Sequence, residues 1–368
     1  PGQDFGAYYG GPKALYDYHV NPYVNRNMWV LYNAADGTHK LHSNPSVNSA
    51  VSINFQSWQD EKDPGAPSVP PTNLWLFYIL FVSTMSYAVA MNVLAIGSAI
   101  IFSAVIVIFT LKLSNDRTRL GRISEVFIAW ALLFGIFWPA IADIMNSQIG
   151  VIYLLPTAIA IYIFAFKKPA GKMAIAGSSL LALATHIKLF PGVLIGYFVI
   201  PLVQKTWRAV RVSLRGGHAR VSAILREVWT GARLEIQVVG IYSVMLIALS
   251  LITLAVVPWE ALSNWFSRLG GMRELSASSL IRPTLFDYLH FWLPHVFLYD
   301  TAMKAAVALR LIAAMIMLTI LVKQMFSARQ TDNPTKRFLI LTALVFSALP
   351  TILPHWWFIY HVVMIIPF

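Results

Sequence analysis

From Leu74 onward, apolar runs approaching bilayer length alternate with basic connectors, and that alternation leaves few folds open. A hydrocarbon core takes ~20 predominantly apolar helical residues per crossing, and no unpaired backbone group can face lipid. The chain therefore reads as an all-α polytopic membrane protein. Polar clusters interrupt the pattern at Asp143-Ile-Met-Asn146-Ser-Gln148-Ile-Gly150, at Ala184-Thr185-His186-Ile187-Lys188-Leu189-Phe190-Pro191 and at Leu353-Pro354-His355-Trp356-Trp357. Groups this polar are costly at membrane depth and face a cavity or a partner there.

Composition supports the class. The hydrophobic fraction is 57% and only 12% of residues are charged, about half the charge of an ordinary globular domain. With no cysteine, disulfides and thiolate sites are excluded. A formal charge of +12 suggests nucleic acid only when the basic residues share one soluble face. Here they recur between spans, so no nucleic-acid partner is expected.

The stretch from Pro1 to Asn73 is aromatic and soluble-looking. Leu74 to about Met85 reads as a helix lying at the interface, ended by Ser83-Thr84-Met85-Ser86, and Tyr87–Leu111 as the first complete span. Further spans are expected at Ile123–Ala142, Ile149–Phe166, Met173–Thr185, Pro191–Val203, Ile236–Val257, Thr301–Val322 and Phe338–Leu349, with a last run from Trp357 to Phe368. Residues 74–368 thus read as a bundle of about nine spans with interfacial helices, truncated at its end. Pro1 is no initiator, so a preceding span that delivers residues 1–73 outward as a loop is expected.

Orientation follows from the cations. Lys112, Arg117, Arg119 and Arg122 share one connector, Lys167, Lys168 and Lys172 another; Lys205 to Arg233 fill the longest, and Lys323, Arg329, Lys336 and Arg337 the last. Every second connector is basic, which makes these four cytoplasmic by the positive-inside rule. Asp4, the Asp143–Gln148 turn, His186, Lys188, the Trp259–Leu298 segment and Pro354–Trp357 then all open toward the extracytoplasmic face of the cell membrane.

The opening Asp4-Phe-Gly-Ala-Tyr8-Tyr9-Gly-Gly-Pro-Lys13-Ala-Leu15, the pair Pro70-Pro71, and Asn146-Ser-Gln148-Ile-Gly150 before an apolar span resemble glycosyltransferase family 87. So does Ala170-Gly171 leading through Leu181-Ala-Leu-Ala-Thr-His-Ile-Lys188-Leu-Phe-Pro191 to a basic connector, with weaker echoes at Ser278-Ser-Leu280 and Pro354-His-Trp-Trp357. The resemblance implies a GT-C type helix bundle that moves mannose or a pentose from a polyprenyl-phosphate-linked sugar donor to a lipid or glycan acceptor. It also implies a catalytic aspartate early in the first extracytoplasmic loop, the place Asp4 occupies. The Tyr16–Pro70 stretch is longer and richer in Asn, Ser and His than the family pattern, and Trp357-Phe-Ile-Tyr360-His361 matches it loosely.

Inverting transfer from a lipid phosphate needs one base for the acceptor proton and cations or donors for the departing phosphate. Phosphate leaves unprotonated, so the second carboxylate of a glycoside hydrolase is not required. Asp4 is the expected base, with Tyr8 one helical turn away and Tyr9 beside it to shape a sugar pocket; as alternatives Asp4 is an N-cap, and Asp143 a rival base. Lys188, three residues before Pro191, is the expected phosphate partner, against a lysine that merely snorkels. His186 orients Lys188 or bonds the phosphate. Asn146 and Gln148 bind sugar hydroxyls or phosphate, or else satisfy a helix end.

Arg282 and His355 are further phosphate contacts on the same face. Trp357, Tyr360 and His361 fall on one helical face suited to a lipid or sugar groove or to an interfacial belt. Arg310 lies within a span, where a carboxylate or lipid phosphate would pair with it. Asp36, His39 and His42 lack a ligand signature, so no metal is expected, and nothing in the sequence requires a cofactor. The rival classes are a transporter or flippase built on Asp143, His186, Lys188 and Arg310, and a transferase of a whole lipid-linked glycan.

Overall fold

The computed structural model describes residues 3–17, 29–32, 39–42, 70–114, 118–135, 149–167, 170–215 and 221–271, with isolated positions elsewhere. These residues are helical apart from one short antiparallel ribbon. The helices are α1 (Gln3–Asp17), α2 (Pro71–Phe77), α3 (Tyr87–Leu113), α4 (Arg119–Gly135), α5 (Gly150–Phe166), α6 (Lys172–Ile187), α7 (Gly196–Arg215), α8 (Val221–Gly231), α9 (Arg233–Val256) and α10 (Trp259–Gly271). The ribbon pairs β1 (Trp29–Tyr32) with β2 (His39–His42), Trp29 opposite His42 and Tyr32 opposite His39. Two helices, α3 and α9, are long and apolar enough to cross a membrane.

The chain divides into two compact units, Pro1–Val151 with Leu249–Ser278 and Ile152–Ala248 with Ser279–Phe368. In the first, α3 explains itself from sequence. It carries no charge before Lys112, which sits in its last turn, where a cation complements the helix dipole. Ala90, Leu94, Ser98, Phe102, Val105 and Phe109 recur every three or four residues and are buried, while Val93, Ile96, Ile100 and Ile108 are exposed. A helix apolar on its exposed side as well is suited to lipid. Its 27 residues span roughly 40 Å at about 1.5 Å each, beyond the roughly 30 Å of a hydrocarbon core. Trp130 on α4 donates Nε1–H to Ser103 Oγ on α3 at 3.1 Å.

The helix expected at the interface is present in two parts. Proline at its first turn starts α2, and the helix then loosens into a π turn, Tyr78–Val82, where the Ser83 N–H reaches back five residues to the Tyr78 carbonyl at 2.9 Å. The Pro1–Asn73 stretch, read above as loop, contains α1, and α1 is fixed to this turn. Tyr8 stacks on Phe77 with ring centroids 5.4 Å apart, and Tyr9 meets Tyr87 edge-on at 5.3 Å. The Tyr9 hydroxyl donates to the Met85 carbonyl at 2.7 Å. Asp17 accepts from Tyr78 Oη and from Lys13 Nζ, both at 2.8 Å. Behind them Leu15, Leu74, Val257, Ala261 and Leu262 form a core edged by Tyr16, Trp75 and Trp265.

In the second unit, small residues let α5 and α6 approach closely. A Cβ on Gly177 would lie 2.8 Å from a Phe164 ring carbon. Phe164 in turn packs on Phe198 at 4.8 Å, and Phe338 meets Tyr197 at 4.7 Å, so the aromatics fill what the small stripe leaves open. The span expected at Pro191–Val203 differs from expectation. A 3-10 turn, Phe190–Ile195, is followed by α7, which runs on through Trp207 to Arg215, so much of the expected basic connector is helical. Pro191 sits at the first turn of the 3-10 segment, where its missing N–H costs nothing. The later spans expected beyond Thr301 lie outside the described residues, save isolated positions.

Burial pushes the Tyr16 phenol up from 10.0 to about 12, with the nearby Tyr78 adding to it. Neutral phenol is thus favoured in the fold, and this contribution is intact below pH 10 and lost as pH rises through 12. Among the described residues the Tyr16 hydroxyl has no hydrogen-bond partner. Tyr16→Phe is therefore expected to be neutral or slightly stabilising at pH 7, by up to about 1 kcal/mol. Between pH 10 and 12 the variant should retain more stability than the parent, as read from parallel thermal melts in detergent.

Candidate functional site

The sequence-predicted site residues divide between the two units, and each group is taken in its own surroundings. Asp4 lies on the first turn of α1, one turn ahead of Tyr8. An N-terminal turn favours a carboxylate through its free N–H groups and dipole. Tyr8 and Tyr9 are 7% and 1% exposed, so their rings are committed to packing beneath α1 rather than to an open pocket wall. Tyr9 in particular anchors the helix that carries Asp4, through the Met85 carbonyl.

The second group gathers where α6 stops. The helix runs to Ile187, and Lys188 turns extended at φ −143° and ψ 127°, while its backbone N–H still donates to the Ala184 carbonyl at 2.9 Å. Three residues before Pro191 is where the proline was expected to act. His186 and Lys188 are both half-buried. On a continuous helix these two positions would sit on different faces, but Lys188 is not helical, and helical phase no longer fixes its direction. His186 occupies the last turn, where a protonated imidazole is favoured by the helix C-terminus.

Residues that the sequence did not single out complete this corner. The Thr185 hydroxyl donates to the Leu181 carbonyl at 2.7 Å, and Thr185 and Tyr242 of α9 are joined by a side-chain hydrogen bond. The 3-10 turn folds over them through Gly192, whose N–H donates to the Leu189 carbonyl at 3.1 Å. A Cβ at Gly192 would lie 2.7 Å from Thr185 Cγ2 and 2.9 Å from Tyr242 Oη. The visible signal was the Pro191-Gly192 pair, a strong turn marker. Tyr242 carried none, since a tyrosine in a long apolar run looks like any other span residue.

Chemically, the corner offers a cation and an imidazole at the end of an apolar helix, with hydroxyls held behind them. It suits an anion. Asp143, Asn146, Gln148, Arg282, Arg310, His355, Trp357, Tyr360 and His361 lie outside the described residues, as does Asp36. His39 and His42 fall at the two ends of β2. Among the described residues, no three His, Cys, Asp or Glu gather in a way that could hold a metal ion.

Comparison with protein-family models, curated proteins and solved structures finds no match to this chain.

Gly192→Ala places a methyl group against Thr185 and Tyr242, and overpacking of this kind costs about 1–3 kcal/mol. Thermal denaturation in detergent should show a lower midpoint. Adding Thr185→Ser and Tyr242→Phe, which remove the two opposing atoms, should recover part of the loss, and such contacting positions are expected to be non-additive.

Proposed function

We propose that the chain is an integral-membrane glycosyltransferase of GT-C type that crosses the bilayer several times and acts on the extracytoplasmic side. It transfers one sugar, mannose or a pentose, with inversion, from a polyprenyl-phosphate donor to a hydroxyl of a lipid or glycan. The observation that carries this reading is the ending of an apolar helix at Lys188, with His186 in its last turn. A cation held at such a break is matched to a phosphate that arrives charged at the membrane. The resemblance of the Asp4–Leu15 and Leu181–Pro191 segments to family 87 supplies the chemistry.

In that chemistry the acceptor hydroxyl gives its proton to the Asp4 carboxylate and its oxygen attacks the anomeric carbon. The bond from that carbon to the phosphate oxygen breaks, and polyprenyl phosphate departs with the electron pair. Lys188 stabilises the negative charge that grows on the leaving oxygen. His186 assists by hydrogen bonding or by orienting Lys188.

Asp4→Asn keeps the side-chain shape and removes the base, so transfer from purified polyprenyl-phosphate donor should fall by about 10²-fold or more. Parent-like rates would remove Asp4 from the reaction. Lys188→Met keeps the apolar stem and deletes the charge. It should weaken donor binding by roughly 1.5–3 kcal/mol, one to two decades in Kd, with acceptor affinity nearly unchanged. Donor and acceptor titrations of the two proteins check this directly, and an unaltered donor affinity would make Lys188 a snorkelling residue.

A further inference from the structure

The α7–α8 region holds a second feature, separate from the transfer chemistry. These helices pack on one another. Val203, Trp207 and Arg211 follow at intervals of four on α7, and Leu225, Trp229 and Arg233 repeat the same aliphatic, tryptophan, arginine order from α8 into the start of α9. The four apolar side chains of this double pattern are 61%, 60%, 64% and 58% exposed in chain order. Soluble surfaces do not usually leave two tryptophans open one turn from an exposed aliphatic. Arg211 holds its guanidinium 5.7 Å from the Trp207 ring, and Arg208 and Arg226 are exposed nearby.

We propose that α7 and α8 lie in the bilayer interface and bind anionic phospholipid headgroups, tryptophans at the headgroup boundary and arginines on the phosphates. Chain length brings α8 there. It ends at Gly231, two residues from α9, one of the two helices able to span, so its end is held within about 7 Å of the membrane surface. Charge complementarity selects the lipid. From Lys205 to Glu235 there are seven Lys and Arg against two Glu, and one of these, Glu235, is already paired with Lys205 at 2.5 Å. Basic residues at a surface attract anionic leaflets, and tryptophan with aliphatic neighbours favours the interface itself. The inference depends on the membrane reading alone and stands apart from the sugar chemistry.

Because the chain has no cysteine, single reporters are clean. Full-length Leu225→Cys and Glu227→Cys, each carrying an environment-sensitive fluorophore, are placed in nanodiscs of phosphatidylcholine with or without phosphatidylglycerol. Positions 225 and 227 lie well apart around α8, so the label at 225 should be quenched by a lipid-borne nitroxide and the label at 227 by aqueous iodide. Arg208→Gln/Arg211→Gln/Arg226→Gln should lower the ratio of retained phosphatidylglycerol to phosphatidylcholine by about five-fold or more, and raising salt should do likewise. Equal iodide quenching at both positions would overturn the proposal. So would shielding of position 225 from both quenchers, which marks a protein partner, or an unchanged lipid ratio in the triple variant.

Discussion

An apolar helix can stop only where something else takes up its backbone groups, and the second unit is organised around one such stop. At Ile187 the α6 ladder ends. The Lys188 N–H closes the last turn on Ala184, and Gly192 closes the next on Leu189. These bonds allow a break inside an otherwise apolar stretch without stranded donors. Lys188 leaves the helical register as a result, and the polar side chains of the segment are held at a helix end. Remove the break and the same sequence would set His186 and Lys188 on different faces of one continuous helix.

Aromatic packing plays the corresponding part in the first unit. α1 is rich in glycine and contains Pro12, a poor recipe for an autonomous helix. Its hold comes from elsewhere: Tyr8 on Phe77, Tyr9 on Tyr87 and Met85, and Asp17 shared between Lys13 and Tyr78. Ring pairs of this kind contribute about 0.5–1.5 kcal/mol each beyond their burial. The glycines fit this seam, since a Cβ on Gly11 would already lie 3.3 Å from Leu74.

What could be read from sequence was set by periodicity and length. α3, α5, α6 and α9 lie close to the apolar runs that marked them, because uninterrupted apolarity with no Asp or Glu leaves helix as the available state. α1 was hidden, its glycines, proline and tyrosines resembling a loop, and only the partners it packs on make it a helix. The amphipathic continuation through α7 and α8 was read as connector, since its arginines were counted for topology and its helical spacing was not used. At the candidate site, Lys188 was legible from Pro191. Gly192, Thr185 and Tyr242 were not, because their role is a matter of close approach between elements distant in sequence. The lengths of α2 and its π turn were legible only as an apolar stretch ending in serines.

That π turn has a consequence for how the chain tolerates change in length. Five residues, Tyr78–Val82, close with a bond that spans one residue more than an α-turn. Such a bulge behaves as a stored insertion. Deleting one residue here would leave backbone that can relax to ordinary α-helix, so the chain itself would accept the loss. Everything beyond would nonetheless turn by about 100° relative to what precedes. The Met85 carbonyl would swing away from Tyr9, and the buried face of α3 would no longer meet its partners. The bulge thus works as a phase adjuster, matching the rotation of a spanning helix to the seat of the helix that bears Asp4.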